Sequence, residues 1–139
     1  MATKIRDIMT GSPTSVSPEL DIVTVAREMR DEDIGAVLVA DGDDLLGLVT
    51  DRDLVIRGLA AGGDPAKAAI GGLASSVTAT IGPDDSVDKA AQIMRERSVR
   101  RLPVLEDGRP VGIVSIGDLA MEKDSASALA DISAARPNA

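Results

Sequence analysis

The feature that most constrains this chain is an internal repeat. Sliding the sequence by 65 positions, without gaps, lays Pro18 on Pro83, Ala26 on Ala91, Met29 on Met94, Arg30 on Arg95, Val39 on Val104, Gly47 on Gly112, Val49 on Val114, Asp53 on Asp118 and Leu54 on Leu119. Ile5, Ile8 and Val16 fall on Ile70, Leu73 and Ile81. A constant offset through helix, turn and strand patterns implies two copies of one supersecondary unit. Two copies are too few for a solenoid, so the repeat predicts internal pseudo-symmetry in which the copies bury each other's apolar faces.

Each copy reads alike. Ser17-Pro18-Glu19 has the chemistry of a helix start, with a hydroxyl cap, proline in the first turn and an acid near the positive end of the dipole. Ile22, Val25, Ala26 and Met29 then recur at helical spacing, as do Val87, Ala90, Ala91 and Met94 after Pro83. Short apolar runs follow, at 36–40 and 102–105, too short for helices and rich in strand formers. Asp41-Gly42 and Asp107-Gly108 predict hairpin turns into second strands over 45–49 and 111–114. Pro103 restricts its run to an edge or a strand start. A second helix begins at Thr50 or Ser115. The copies therefore span 4–60 and 70–122 as βαββα units, with a Gly62-Gly63-Asp64-Pro65 linker over 61–69 and an Ala- and Ser-rich tail over 123–139.

Composition removes several chemistries. The chain of 139 residues is 44% hydrophobic and has no Phe, Trp, Tyr, His or Cys, so any core is aliphatic. Disulfides, thiolate or imidazole catalysis and a Cys/His zinc site are excluded, which leaves only hard-cation sites of carboxylate oxygens for a metal. Fifteen Lys and Arg against 23 Asp and Glu give a net charge of −8. That balance opposes nucleic acid and anionic membranes, and the missing aromatics remove the platforms on which single strands stack. No apolar run approaches the roughly 18 residues of a membrane span. The expectation is a soluble, cytoplasmic protein.

The order of Ile-Arg-Asp-Ile-Met-Thr (5–10), Gly-Leu-Val-Thr-Asp-Arg-Asp-Leu (47–54), Val-Arg-Arg-Leu-Pro-Val (99–104) and Gly-Ile-Val-Ser-Ile-Gly-Asp-Leu (112–119) resembles the CBS domain family, whose members occur in pairs. It is most similar to small stand-alone bacterial two-CBS proteins of the stress- and hypoxia-response kind. The resemblance implies an α/β (α+β) fold in which two pseudo-symmetric βαββα repeats pack as one disc-like domain with two clefts. It also implies a regulatory, non-catalytic role in binding AMP, ADP, ATP or S-adenosylmethionine, with output through an unidentified effector protein. Self-association as a homodimer through helices near 20–30 and 86–96 is implied as well.

In the family, a Ser/Thr-x-x-Asp motif holds the ribose, which maps onto Thr50 with Asp53 and Ser115 with Asp118. The chemistry suits it, since a carboxylate accepts from both ribose hydroxyls in charge-assisted bonds. The same spacing is also a capping box, in which hydroxyl and carboxylate satisfy backbone donors of their own helix. The motif alone does not choose between these readings; the family context favours ribose. Arg95, Arg97, Arg100 and Arg101 form a basic cluster in an acidic chain. The first two suit a helix C-terminus, whereas Arg100 and Arg101 occupy the position of the family's phosphate-facing basic residue. By the same analogy each cleft borrows from both copies: Val77, Thr78, Val99, Arg100 and Arg101 face Thr50 and Asp53, while Ser12, Ile34 and Gly35 face Ser115 and Asp118. The first cleft is then the better phosphate site. Without aromatics, adenine lies on aliphatic side chains, and affinity is expected to be micromolar at best. A purely structural dimerisation module with no small ligand is the alternative.

Overall fold

The structure is a computed structural model and describes residues 3–123. The expectation for the tail beyond Lys123 lies outside the described residues. The chain forms two compact units, one from the chain through Pro13 joined by the chain from Thr78 onward, the other from Thr14–Val77. Each unit contains one three-stranded sheet and its helices.

The Thr14–Val77 unit holds β2 (Ser15–Val16), α2 (Ile22–Glu32), β3 (Ala36–Asp41), β4 (Asp44–Thr50) and a short helical turn α3 (Asp51–Asp53), which continues as a π-helical stretch over Leu54–Leu59. The other holds α1 (Ile5–Ile8), β1 (Thr10–Gly11), α4 (Val87–Arg97), β5 (Arg101–Glu106), β6 (Arg109–Ser115) and α5 (Ile116–Lys123). Strand order is β2-β3-β4 in the first sheet and β1-β6-β5 in the second.

Two cores obey the 65-residue shift term by term. Val16, Ile22, Val25, Met29, Val37, Val39, Val49 and Leu54 form one core with Ile70, and Ile81, Val87, Ala90, Met94, Leu102, Val104, Val114 and Leu119 form the other with Ile5. Every residue of one list has its counterpart in the other, but the first and last positions are exchanged. Ile5, from the first repeat, is fully buried among residues of the second, and Ile70, from the second, among residues of the first. The compact units therefore do not follow the repeat boundaries: each repeat's opening segment belongs to the other repeat's core. The backbone bonds that hold the exchange are also repeated. Ile5 and Arg6 donate to the carbonyls of Asp85 and Pro83 at 3.0 and 2.9 Å, and Ile70 and Gly71 donate to those of Leu20 and Pro18 at 2.7 and 2.9 Å.

The helices begin later than the Ser-Pro signal predicts. The α2 cap is Asp21, whose carboxylate accepts from the Thr24 amide at 2.9 Å, and the α4 cap is Ser86, which accepts from Lys89 at 3.1 Å. Ser17-Pro18-Glu19 is a turn instead, because the Pro18 carbonyl is taken by Gly71 and the Ser17 carbonyl by Leu20. Both helices end on a left-handed residue, Asp33 or Ser98. The linker is pinned as well: the Ala68 carbonyl accepts from Ile22, and Asp64 closes an Asx turn onto Ala66.

The four strands of the two hairpins form where predicted, and both hairpins carry a register shift at Val39/Ala40 and Val104/Leu105. The first turn is displaced by one residue. Asp41 pairs with Asp44, so Gly42-Asp43 makes the turn with positive φ at Gly42 alone, whereas Asp107 and Gly108 both have positive φ. Those are the patterns of types II′ and I′ respectively. Pro103 lies on the edge strand β5 and explains a difference between the sheets. Its counterpart Leu38 donates to Thr14 at 2.9 Å and supports the parallel strand β2. Pro103 has no N–H to give, and the equivalent segment is reduced to the single parallel bridge Ile81–Val104.

Candidate functional site

The site residues arise where β4 and β6 run into the following helices. Both Ser/Thr-x-x-Asp motifs form complete capping boxes. The amide of Thr50 donates to Asp53 Oδ2 at 2.9 Å and the amide of Asp53 donates to Thr50 Oγ1 at 3.2 Å. In the other unit Ser115 donates to Asp118 Oδ2 at 2.8 Å, and Asp118 donates to Ser115 Oγ at 3.2 Å. All four residues are half-buried. In both carboxylates only Oδ2 is used: among the described residues, Oδ1 of Asp53 and of Asp118 has no hydrogen-bond partner. A carboxylate has capacity for about four acceptor contacts, so the cap leaves most of it available.

Each box is braced by the start of the preceding strand. Asp51 donates to the Gly35 carbonyl at 3.0 Å, and Ile116 donates to the Arg100 carbonyl at 2.8 Å. Ala36 registers with Thr50, and Arg101 with Ser115. Ile34 and Gly35 thus flank the Thr50 box within their unit, as Val99, Arg100 and Arg101 flank the Ser115 box in theirs. Ile34 and Val99 are half-buried against their cores. Val77 is half-buried in the Thr14–Val77 unit; Thr78 and Ser12 are exposed and belong to the other, where Ser12 has a left-handed φ of 49° after β1. Arg100 is exposed and Arg101 half-buried, and among the described residues neither has a carboxylate within 4.0 Å.

The sequence reading missed two polar residues. Arg57 Nη1 donates to Ser75 Oγ at 3.2 Å, and Ser75 bridges to Leu48, two residues before Thr50 on β4. The spacing of Asp53 and Arg57, four apart in a helical pattern, was the available signal.

The remaining polar chemistry is peripheral. Arg6 pairs with Asp84 at 2.9 Å and Glu106 at 3.2 Å on the surface. Among the described residues no cluster of three or more Asp or Glu forms a metal site, and no helix is long and apolar enough to cross a membrane.

Known proteins resemble this chain over most of its length. The chain is 42% identical over 119 residues to Hypoxic response protein 1 of Mycobacterium tuberculosis, covering 85% of this chain and 83% of that protein. A crystal structure of Hypoxic Response Protein I with two coordinated zinc ions superposes with a TM-score of 0.74, at 42% identity over 85% of this chain and 97% of that one. The zinc is that protein's; this chain has neither His nor Cys, and among the described residues no group of three or more Asp or Glu could hold a metal ion. The CBS domain pair of protein MJ0100, solved with 5′-methylthioadenosine and S-adenosyl-L-methionine, shares the fold at a TM-score of 0.77 and 24% identity, over 91% of this chain and all of that one. The CBS domain family model matches residues 5–58 and again 70–124, and so the chain belongs to the CBS domain family and carries its domain twice.

Proposed function

We propose that this CBS pair is a non-catalytic regulatory module that binds an adenosine-containing ligand, of the AMP, ADP, ATP or S-adenosylmethionine class, at its Ser/Thr-x-x-Asp boxes. The observation that carries the reading is the free Oδ1 of each half-buried carboxylate. Capping and ribose binding are not rivals in this arrangement. The cap fixes the rotamer of Asp53 or Asp118, so a ribose diol meets an acceptor that is already ordered. A charge-assisted bond of that kind contributes about 1.5–3 kcal/mol. Arg100 and Arg101 supply forked donors for a phosphate. Val77, Thr78 and Val99, with Ser12, Ile34 and Gly35, offer aliphatic surface and backbone groups to the base. Without aromatic stacking, affinity is about micromolar, roughly −8 kcal/mol. Regulation then follows from unequal affinity of the ligand for two conformations, read by a partner protein.

Calorimetric titration with AMP, ATP and S-adenosylmethionine tests the reading, together with Asp53→Asn and Asp118→Asn. An amide in place of the carboxylate preserves an acceptor for the cap but weakens acceptance from the diol. If no ligand releases heat or raises the melting temperature of the wild-type chain, the reading fails.

A second reading, self-association, draws on apolar surface. In the Thr14–Val77 unit a groove of about 450 Å³ lies between α2 and the π-helical stretch, lined by Ile22, Ala26, Met29, Leu54 and Leu59. In the other unit a groove of about 280 Å³ between α4 and α5 is lined by Ala91, Met94, Ile116 and Leu119. Leu59 and Ile116 are 59% and 56% exposed, which favours burial against a second copy about a two-fold axis. Sedimentation equilibrium of the wild type against Leu59→Glu and Ile116→Glu tests it; a monomeric wild-type chain rejects it.

A further inference from the structure

We propose that Arg57, positioned by Ser75, recognises a phosphate on the ligand held at Thr50 and Asp53. The inference rests on the adenosine-ligand reading and narrows it, for this box, to phosphorylated adenosine.

Three observations bring the groups together. Along β4, Gly47 and Val49 are buried, so Leu48 and Thr50 share the opposite face of the strand. Ser75 and Leu48 exchange both backbone hydrogen bonds at 3.0 Å, which sets Ser75 directly across from Leu48 and turns its side chain to the face that carries Thr50. Arg57 follows Asp53 by four residues in one continuous helical run, on the same side of it. The bond from Arg57 Nη1 to Ser75 Oγ closes the set, linking the helix that carries Asp53 to the segment beside Thr50.

The charge on Arg57 is unbalanced. In a chain of net charge −8, it has no carboxylate within ion-pair distance among the described residues. A neutral hydroxyl orients the guanidinium without neutralising it, and one bond leaves the remaining donors of the fork for an anion. A cation on the same side as the ribose-binding carboxylate complements a sugar that bears a phosphate. It adds nothing for adenosine and repels the sulfonium of S-adenosylmethionine.

The test is calorimetry of the full chain with AMP and with adenosine, for the wild type, Arg57→Gln, Arg57→Lys and Ser75→Ala, with urea unfolding to verify that each variant is folded. Wild type should prefer AMP over adenosine by about tenfold or more, the scale of one charged hydrogen bond. Arg57→Gln should remove about tenfold of that preference by weakening AMP alone, Arg57→Lys should retain part of it, and Ser75→Ala should reduce it. Equal wild-type affinities, a preference that survives Arg57→Gln, or equal weakening of both ligands would overturn the assignment. Adenosine binding without a phosphate preference rejects Arg57 alone; binding of neither ligand overturns the assignment, and the adenosine reading falls with it when ATP and S-adenosylmethionine also fail to bind.

Discussion

The amide of Ile70 donates to the carbonyl of Leu20 at 2.7 Å, and this bond seats the opening residue of the second repeat in the core of the first. Ile5 is its counterpart, and both side chains are fully buried. Each fills a space that the other repeat leaves open. Ile70→Ala and Ile5→Ala should therefore each cost about 2–5 kcal/mol in urea unfolding, the range for a buried aliphatic truncation that leaves a cavity. A loss similar to that of an exposed substitution would show that the exchanged segments are held by their backbone bonds alone.

The two repeated glycines are close-approach positions. A Cβ on Gly47 would lie 2.8 Å from both Ala74 Cβ and the Ser75 carbonyl oxygen, and one on Gly112 would meet the Met9 sulfur and, at 2.9 Å, the Thr10 carbonyl oxygen. In each case the exchanged segment runs close alongside the strand as its hydrogen-bonded neighbour. Gly47→Ala should destabilise by about 1–3 kcal/mol, as overpacking does. Gly112→Ala should cost less, because the Met9 side chain can swing aside. Comparing the two urea midpoints checks the order.

Surface electrostatics should make stability depend on pH through Asp84. The hydrogen bond from Arg6 holds the Asp84 carboxyl below its ordinary value; desolvation opposes this, and the charges of Arg6 and Lys4 add to the lowering. A depressed carboxylate adds stability that is fully present above its unfolded-state pKa and is lost as pH falls through the folded-state value. The melting temperature of the wild type should thus exceed that of Asp84→Asn at neutral pH, and the two should converge in acid. The pair is exposed, so the neutral-pH difference should also shrink in high salt.

Much of this architecture was legible because the repeat fixes which positions must agree. Val25 and Ala90, or Val49 and Val114, occupy matching core positions although no single segment announces its fold. The exchange of Ile5 and Ile70 was not legible, since the pattern is the same whichever core receives the residue. The late helix starts have the same origin. Ser17-Pro18 looks like a cap until the Pro18 carbonyl is known to receive the Gly71 amide, and that partner is distant in sequence. At the site, the Thr50 and Ser115 motifs were readable as chemistry. The arginine cluster at 95–101 stands out in the sequence as charge, whereas Arg57 does not, because its partner Ser75 is distant in sequence and is brought near by the bridge to Leu48.

The capping boxes themselves separate stability from binding. Thr50→Ala removes the oxygen that accepts from the Asp53 amide but leaves the bond from the Thr50 amide to Asp53 Oδ2, so the carboxylate stays in place while half the box is lost. Ser115→Ala does the same to the other box. Each substitution should cost about 1 kcal/mol of stability, as loss of a hydroxyl cap does. Adenosine-ligand affinity should fall less than in Asp53→Asn or Asp118→Asn, because the ribose contact is assigned to the carboxylate. Parallel urea unfolding and calorimetry on these four variants check the separation. If the alanine variants lose affinity as much as the asparagine variants, the carboxylates act on the ligand only through the helix starts that they cap.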